Sequence, residues 1–340
     1  MIKVCVHKVT SIPLWRQFPV KDNFVIGNCE FTFDENDEYD YWVAFTNVWK
    51  PQEVKVPKER RIFFYGEAPF ILKYTKAFLS QFGHVYGCDP AYVKNGVIEK
   101  RNVSLFPWMV GISQDKDGDW SKNALYFNEL EVLNIDQPLN KACLISSNKV
   151  GTKGHNDRVR FVDRLLKDGV DFIDVYGNGY KPFGDKLELY KKYKYAVVIE
   201  NGKCPDYWTE KIADVFLTGV YPFYHGCPNI NEYFDKNSMT LVDINNYEET
   251  LKTIKSLIDS DVHSTSKQAL RMAKKRVMND YNLFEIMARE IENIDKSEGT
   301  KDKKCKIIIY PSKNGSVFNR IIRKINTTYY EKKRSFLSHV

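Results

Sequence analysis

From Tyr195 to Pro228 the chain passes from an apolar run to a polar junction, then to an amphipathic segment and a second apolar run. Tyr195 to Ile199 is almost continuously apolar, as expected of a parallel strand covered on both faces. Glu200, Asn201 and Gly202 end it. A loop through Cys204, Pro205, Asp206, Tyr207 and Trp208 leads to Thr209, a suitable N-cap for a helix with Glu210 and Lys211 in its first turn and Ile212, Val215 and Phe216 on one face. Gly219 closes that helix, and Val220 to Tyr224 reads as the next strand. Elsewhere the same alternation predicts strands at Lys3–His7, Arg61–Tyr65, Ala142–Ser146 and Phe172–Tyr176. Residues 244–292 read as helices, with apolar positions at Leu251, Ile254, Leu257 and Ile258, then at Leu283, Ile286 and Met287.

Strands alternating with helices predict an α/β fold in which ligands lie at the carboxyl ends of the strands. Glu200, Asn201, Glu210 and Lys211 are therefore expected in one crevice. Ser147-Asn148 ends the strand at 142–146, and Lys149 to Asn156 is a polar loop with Gly151 and Gly154. Asn156 or Asp157 is the expected cap of a helix carrying Arg158, Phe161, Val162, Leu165 and Leu166. Free N–H groups and the helix dipole make such a junction an anion site. A cation at a helix start is unfavourable unless an anion lies beside it, so Lys211 also points to a phosphate. Gly66-Glu67 follows the strand at 61–65 directly.

The ordered set Glu200-Asn201, Tyr207, Thr209-Glu210-Lys211 and Pro222 resembles the signature of the α-1,3/1,4-fucosyltransferases, glycosyltransferase family 10. Ser147-Asn148, Arg158 and the strand around Val170-Asp171 and Tyr176-Gly177 are similar to a second block of that family, and Gly66-Glu67 to a third. The third match is looser, since Ala68-Pro69 follow where many members have Asn. The resemblance spans roughly residues 60 to 235. It implies a GT-B type fold of two facing Rossmann-like domains, here 1–138 on the acceptor side and 139–285 on the donor side. A helical, basic extension, 286–340, would follow.

The resemblance further implies an inverting transfer of fucose from GDP-β-L-fucose to a hydroxyl of N-acetylglucosamine or glucose in a glycan, with an α-1,3 or α-1,4 linkage. Glu67 would be the general base. Arg158 and Lys211 would meet the pyrophosphate charge, Glu210 would take the ribose hydroxyls, and Asn201 and Tyr207 would orient the sugar phosphate. Glu200 and Asn148 complete the expected donor site. No cofactor and no obligatory metal are expected. A transferase of the same fold using another GDP-sugar is the alternative, followed by a non-catalytic glycan-binding or membrane-associated protein.

Length and composition agree with two domains: 340 residues exceed what one core usually serves, and 43% hydrophobic with 14% aromatic residues excludes a disordered chain. Seven cysteines with no Cys-x-x-Cys spacing read as reduced thiols of a cytoplasmic protein, and no export signal is expected. Asp115, Asp117 and Asp119 have the spacing of a calcium loop, but its glycine and final glutamate are misplaced, so a solvated turn is expected. The net charge of +7 is uneven, because residues 301–340 hold eleven Lys or Arg against Asp302 and Glu331. Val317, Phe318, Ile321, Ile322 and Ile325 recur there at helical spacing. Two readings stay open for them: peripheral contact with an anionic membrane, on its inner face, or packing back on the protein. No nucleic-acid-binding module is recognisable.

Overall fold

The computed structural model describes residues 1–7, 11–68, 71–88, 100–101, 103–120, 123–298 and 305–312. Two separate parallel sheets organise it. The first collects β1 (Ile2–His7), β2 (Val25–Ile26), β3 (Cys29–Thr32), β4 (Tyr41–Phe45), β6 (Arg61–Phe64), β7 (His84–Gly87) and β8 (Lys100–Arg101) in the order β2-β3-β1-β4-β6-β7-β8. Only the β2–β3 pair is antiparallel, a hairpin at the sheet edge. The fifth strand, β5 (Gln52–Val54), leaves this sheet and pairs with a strand from the far end of the chain. The β6 strand, RIFF, is buried at every residue, which is why it reads as an unbroken apolar run rather than an alternation.

The second sheet has the order β10-β9-β11-β12-β13, built from β9 (Leu139–Ile145), β10 (Ile173–Tyr176), β11 (Tyr193–Ile199), β12 (Tyr221–His225) and β13 (Thr240–Leu241), all parallel. Its order reverses between β9 and β11, the topological switch point at which doubly wound sheets bind ligands. The strands expected from periodicity are all present, each within a few residues. Two sheets of this kind make the α/β architecture GT-B in type.

Four helices matter for the site or its frame. Helix α1 (Lys153–Lys167) crosses from β9 to β10, α2 (Lys186–Tyr190) precedes β11, and α3 (Glu210–Leu217) joins β11 to β12. The last, α4 (Leu283–Glu298), runs without a break at residue 285 and packs on the first sheet. Phe284 stacks on Phe18 at 4.1 Å, Asn282 Nδ2 donates to Gln17 O at 2.7 Å, and the Asn28 amide donates to Glu292 at 2.8 Å. The start of the expected C-terminal extension is thus a tie between the lobes. After residues 299–304, which lie outside the described residues, β14 (Ile307–Ile309) pairs antiparallel with β5, and Ile309 is fully buried. The apolar stripe at 317–325 also lies outside the described residues. Among the described residues, no helix is long and apolar enough to cross a membrane.

Candidate functional site

The crevice is built by three loops, those that leave β9 and β11 at the switch point and the one that leaves β6 of the first sheet. Helix α1 is capped by Thr152, whose hydroxyl accepts from the His155 amide at 3.2 Å, so it starts earlier than the expected cap at Asn156 or Asp157. Asp157 instead takes Lys153 at 2.6 Å and Arg160 as ion-pair partners. The earlier start turns Arg158 inward. Its guanidinium, 5% exposed, donates from Nη1 to Asn201 Oδ1 at 2.8 Å and from Nη2 to Ser147 Oγ at 3.3 Å. Nε is buried with no partner. Among the described residues no carboxylate pairs with this cation, and burial holds its pKa below the usual arginine value. A buried charge without a counter-ion is costly, and an arriving anion would relieve that cost.

Asn201 reaches Arg158 because α1 approaches the β11 loop closely. A Cβ on Gly154 would stand 2.1 Å from the Asn201 carbonyl oxygen, so no larger residue fits there. His155, beside them, is pushed down to about 4, first by burial and then by the charges of Arg158 and Lys211, so the imidazole is neutral at pH 7.

At the start of α3, Thr209 caps the helix as expected, accepting from the Lys211 amide at 3.3 Å. Glu200 is wholly buried. Its carboxylate accepts from the Thr209 amide at 3.0 Å, from the Thr209 hydroxyl at 2.9 Å and from Lys211 Nζ at 3.2 Å. It therefore points into the protein and orders the helix start, in contrast to the expectation that it faces a donor. The anion that Lys211 was expected to need is internal: Glu200, with Glu210 at 3.5 Å. Burial disfavours the Lys211 charge, but Glu200, Glu210 and Glu67 together raise its pKa well above the ordinary value. Glu210 is held below the usual carboxylate range despite its burial, chiefly by Lys211 and Lys186.

Across the crevice, Glu67 follows β6 through Gly66. A Cβ on Gly66 would meet the Thr46 hydroxyl oxygen at 2.0 Å, and Thr46 itself sits at φ +66°, so the turn that presents Glu67 is both tight and strained. The Glu67 carboxyl is half-buried, and burial raises its pKa, with Lys211 and a hydrogen bond from Tyr207 opposing. Tyr207, expected to orient the sugar phosphate, is fully buried, and its hydroxyl donates to Glu67 Oε2 at 3.0 Å, joining the two lobes.

Asn148 lies apart, exposed, with its side chain against Gly179. Asp115, Asp117 and Asp119 form a turn closed by Asp115 Oδ1, which accepts from the Asp117 and Asp119 amides at 2.9 and 2.8 Å. Among the described residues no group of His, Cys, Asp and Glu has a metal-holding arrangement.

Sequence reasoning missed two supports. Arg16, 1% exposed, donates to the carbonyls of Trp108, Val110, Gly111 and Leu125. Asp214 on α3 accepts from the Met109 and Val110 amides at 2.9 and 3.1 Å and pairs with Lys186 at 2.6 Å. Together they fix residues 108–111 against the second lobe. The other support is Asp206, at φ +64°, which bonds to Asn229 at both its amide and its carboxylate and also accepts from Tyr233. An Asp among apolar positions in α3 was a visible signal for the first, whereas Arg16 and Asn229 carry none.

The fold is α/β and GT-B in type, and its crevice holds a buried arginine with no carboxylate partner among the described residues. Residues 138–268 match the model of glycosyltransferase family 10 (fucosyltransferase) C-term. It is similar to α-(1,3)-fucosyltransferase B of Drosophila melanogaster, 28% identical over 129 residues, which are 37% of this chain and 29% of that protein. The α-(1,3)-fucosyltransferase FucT of Helicobacter pylori is 34% identical over 74 residues, 22% of this chain and 16% of that one. The matches thus span less than a third of these relatives' own lengths. Among solved structures, an α1,3-fucosyltransferase with GDP aligns over 87% of this chain and 91% of its own at 17% identity, with a TM-score of 0.47.

Proposed function

We propose that the protein is an inverting α-1,3-fucosyltransferase that moves fucose from GDP-β-L-fucose to a hydroxyl of an N-acetylglucosamine or glucose unit. The observation that carries this reading is Arg158, a buried cation without a carboxylate partner among the described residues, held by Asn201 at the switch point of the region that matches the family 10 model. In a single displacement Glu67 takes the proton of the acceptor hydroxyl as that oxygen attacks the anomeric carbon, and the bond to the GDP oxygen breaks on the opposite face. Arg158 and the first N–H groups of α1 meet the charge that develops on the leaving pyrophosphate. Lys211, whose charge is largely shared with Glu200 and Glu210, adds a weaker attraction for the phosphates than Arg158 does, and Glu210 accepts from the ribose hydroxyls. No metal is required in this scheme, because protein cations and helix dipoles answer the leaving-group charge. Burial raises the pKa of Glu67, which makes its carboxylate a stronger base for the acceptor proton.

The test is purified protein with GDP-fucose, GDP-mannose and a set of lactosamine-type acceptors. Fucosylated product with inversion at the anomeric carbon is expected. Transfer from GDP-mannose alone would replace fucose by another GDP-sugar, and no transfer with either donor would remove the enzymatic reading.

A further inference from the structure

Between Asp206 and Glu67 a chain of hydrogen bonds links a strained turn of the second lobe to the carboxylate of the first. Asp206 occupies the left-handed region at φ +64°, a costly conformation for a residue other than glycine, and a clamp of side-chain bonds maintains it. The Asp206 amide donates to Asn229 Oδ1 at 2.9 Å, Asn229 Nδ2 donates to Asp206 Oδ1 at 2.7 Å, and the Tyr233 hydroxyl donates to the same oxygen. The strained residue directly precedes Tyr207 and turns its side chain out of the second lobe. The ring then packs with Ala68 and Cys88 of the first lobe, and the phenol ends on Glu67 Oε2. Among the described residues nothing donates to Glu67 Oε1. One oxygen is thus held, and the other is left to take a proton.

We propose that Tyr207 is a positioning residue for the base: it orients the Glu67 carboxylate from across the crevice, so that Oε1 faces the acceptor hydroxyl, and the Asp206–Asn229 clamp sets its aim. This rests on Glu67 being the base in the transfer proposed above. A carboxylate bonded at one oxygen by a buried phenol has lost its free rotation before the acceptor arrives, and such preorganisation acts on turnover more than on donor affinity. Tyr207 also stabilises the ionised form of Glu67. The other groups acting on that carboxylate are Lys211, which favours ionisation, and Glu210 and Glu200, which oppose it, while Tyr74 faces it from its own lobe.

Tyr207→Phe keeps the ring and removes the donor. The expected result is a fall in kcat of about tenfold or more, with the Kd for GDP changed by less than about threefold, because a bond to a charged group is lost without touching the phosphate site. The acid limb of the kcat/KM profile should move to higher pH. Added to Glu67→Gln, the same change should cost nothing further. A substantially weaker Kd for GDP with an unmoved acid limb would make Tyr207 a donor ligand and overturn the proposal. The failure of the base assignment is distinguishable: Glu67→Gln would then retain turnover, and both ideas would fall together. If Tyr207→Phe does not fold, 3-fluorotyrosine placed at position 207 alone supplies a stronger donor and should move the acid limb to lower pH. An unmoved limb there also overturns the proposal.

Discussion

Replacing Arg158 by lysine is the sharpest perturbation of this site, because it preserves the charge and removes the geometry. The guanidinium donates from Nη1 to Asn201 at 2.8 Å and from Nη2 to Ser147, and among the described residues it meets no carboxylate. A lysine ammonium is a compact point charge that cannot keep both internal bonds and still present a donor. Losing one charge-assisted hydrogen bond to the pyrophosphate costs about 1.5–3 kcal/mol. At about 1.4 kcal/mol per factor of ten, GDP should bind roughly 10- to 150-fold more weakly. Calorimetric titration with GDP, GMP and guanosine checks this. The loss should follow the phosphates, leaving guanosine affinity nearly unchanged. Arg158→Met adds a second arm: removing a cation with no carboxylate partner should abolish GDP binding with little loss of melting temperature, since an unpaired buried charge stabilises nothing on its own. Equal losses for GDP and guanosine would refute the assignment of Arg158 to phosphate, and a large fall in melting temperature for Arg158→Met would make it a structural residue.

Glu67→Gln should lower turnover by about 10²–10⁴ while leaving GDP affinity nearly intact; steady-state rates above half of the parent value would exclude Glu67 as the base. In the parent enzyme the acid limb should lie above 4.5, because burial raises the pKa of Glu67 and activity is lost as pH falls through that raised value; a limb at or below 4.5 contradicts it. Transfer should survive exhaustive chelation, and complete loss with EDTA reversed by manganese would return Asp115 and Asp117 to consideration. Asp214→Asn, which strands the partly exposed Lys186 and weakens the hold on residues 108–111, should cost about 2–3 kcal/mol and lower the melting temperature by several degrees; an unchanged thermal transition would show that this network carries no load. Truncation should begin after Ser312, because β14 is part of the fold. Loss of residues 313–340 should weaken binding to anionic vesicles and steepen nothing in the soluble assay, while a joint fall in soluble activity and melting temperature would defeat the membrane reading.

Much of the second lobe was legible because its strands are buried on both faces and its helices are amphipathic, so periodicity alone separates them. Thr209 and Gly219 appear as the stops that local chemistry requires: a hydroxyl that accepts from Lys211 and a residue at φ +72°. The start of α1 was misread, since Asn156, Asp157 and Thr152 are all competent caps and only the fold decides which one adopts the extended conformation of a cap. The argument from Lys211 failed differently. A cation at a helix start does need an anion, but a buried glutamate nine residues before the capping Thr209 satisfies that need as well as a phosphate does. Tyr207 was expected to orient a sugar phosphate, and its bond to Glu67 was not foreseen, because contacts between lobes leave no periodic trace. The same applies to α4, whose apolar face was visible but whose surface on the first sheet was not.

The two cations of the site consequently differ in kind. Lys211 is held by three acids, and its charge is largely committed before any ligand enters; it serves as much to keep Glu200, Glu210 and Glu67 together as to attract a phosphate. Among the described residues Arg158 hydrogen-bonds only to neutral groups and Glu200 acts on it only through space, so its charge is answered less fully than that of Lys211. An anion arriving there relieves a cost already present in the folded state, whereas one approaching Lys211 must compete with carboxylates that surround it. Donor affinity should therefore reside with Arg158. The basicity of Glu67 is raised chiefly by burial, is opposed by Lys211 and by the Tyr207 hydrogen bond, and gains a smaller push from the like charges of Glu210 and Glu200. Since Glu67 rides on the first sheet and the rest on the second, this division works only while the lobes stay in register. Phe284 on Phe18, Glu292 on Asn28 and Asp214 on residues 109–110, all distant from the reacting atoms, thus bear on the distance between base and donor.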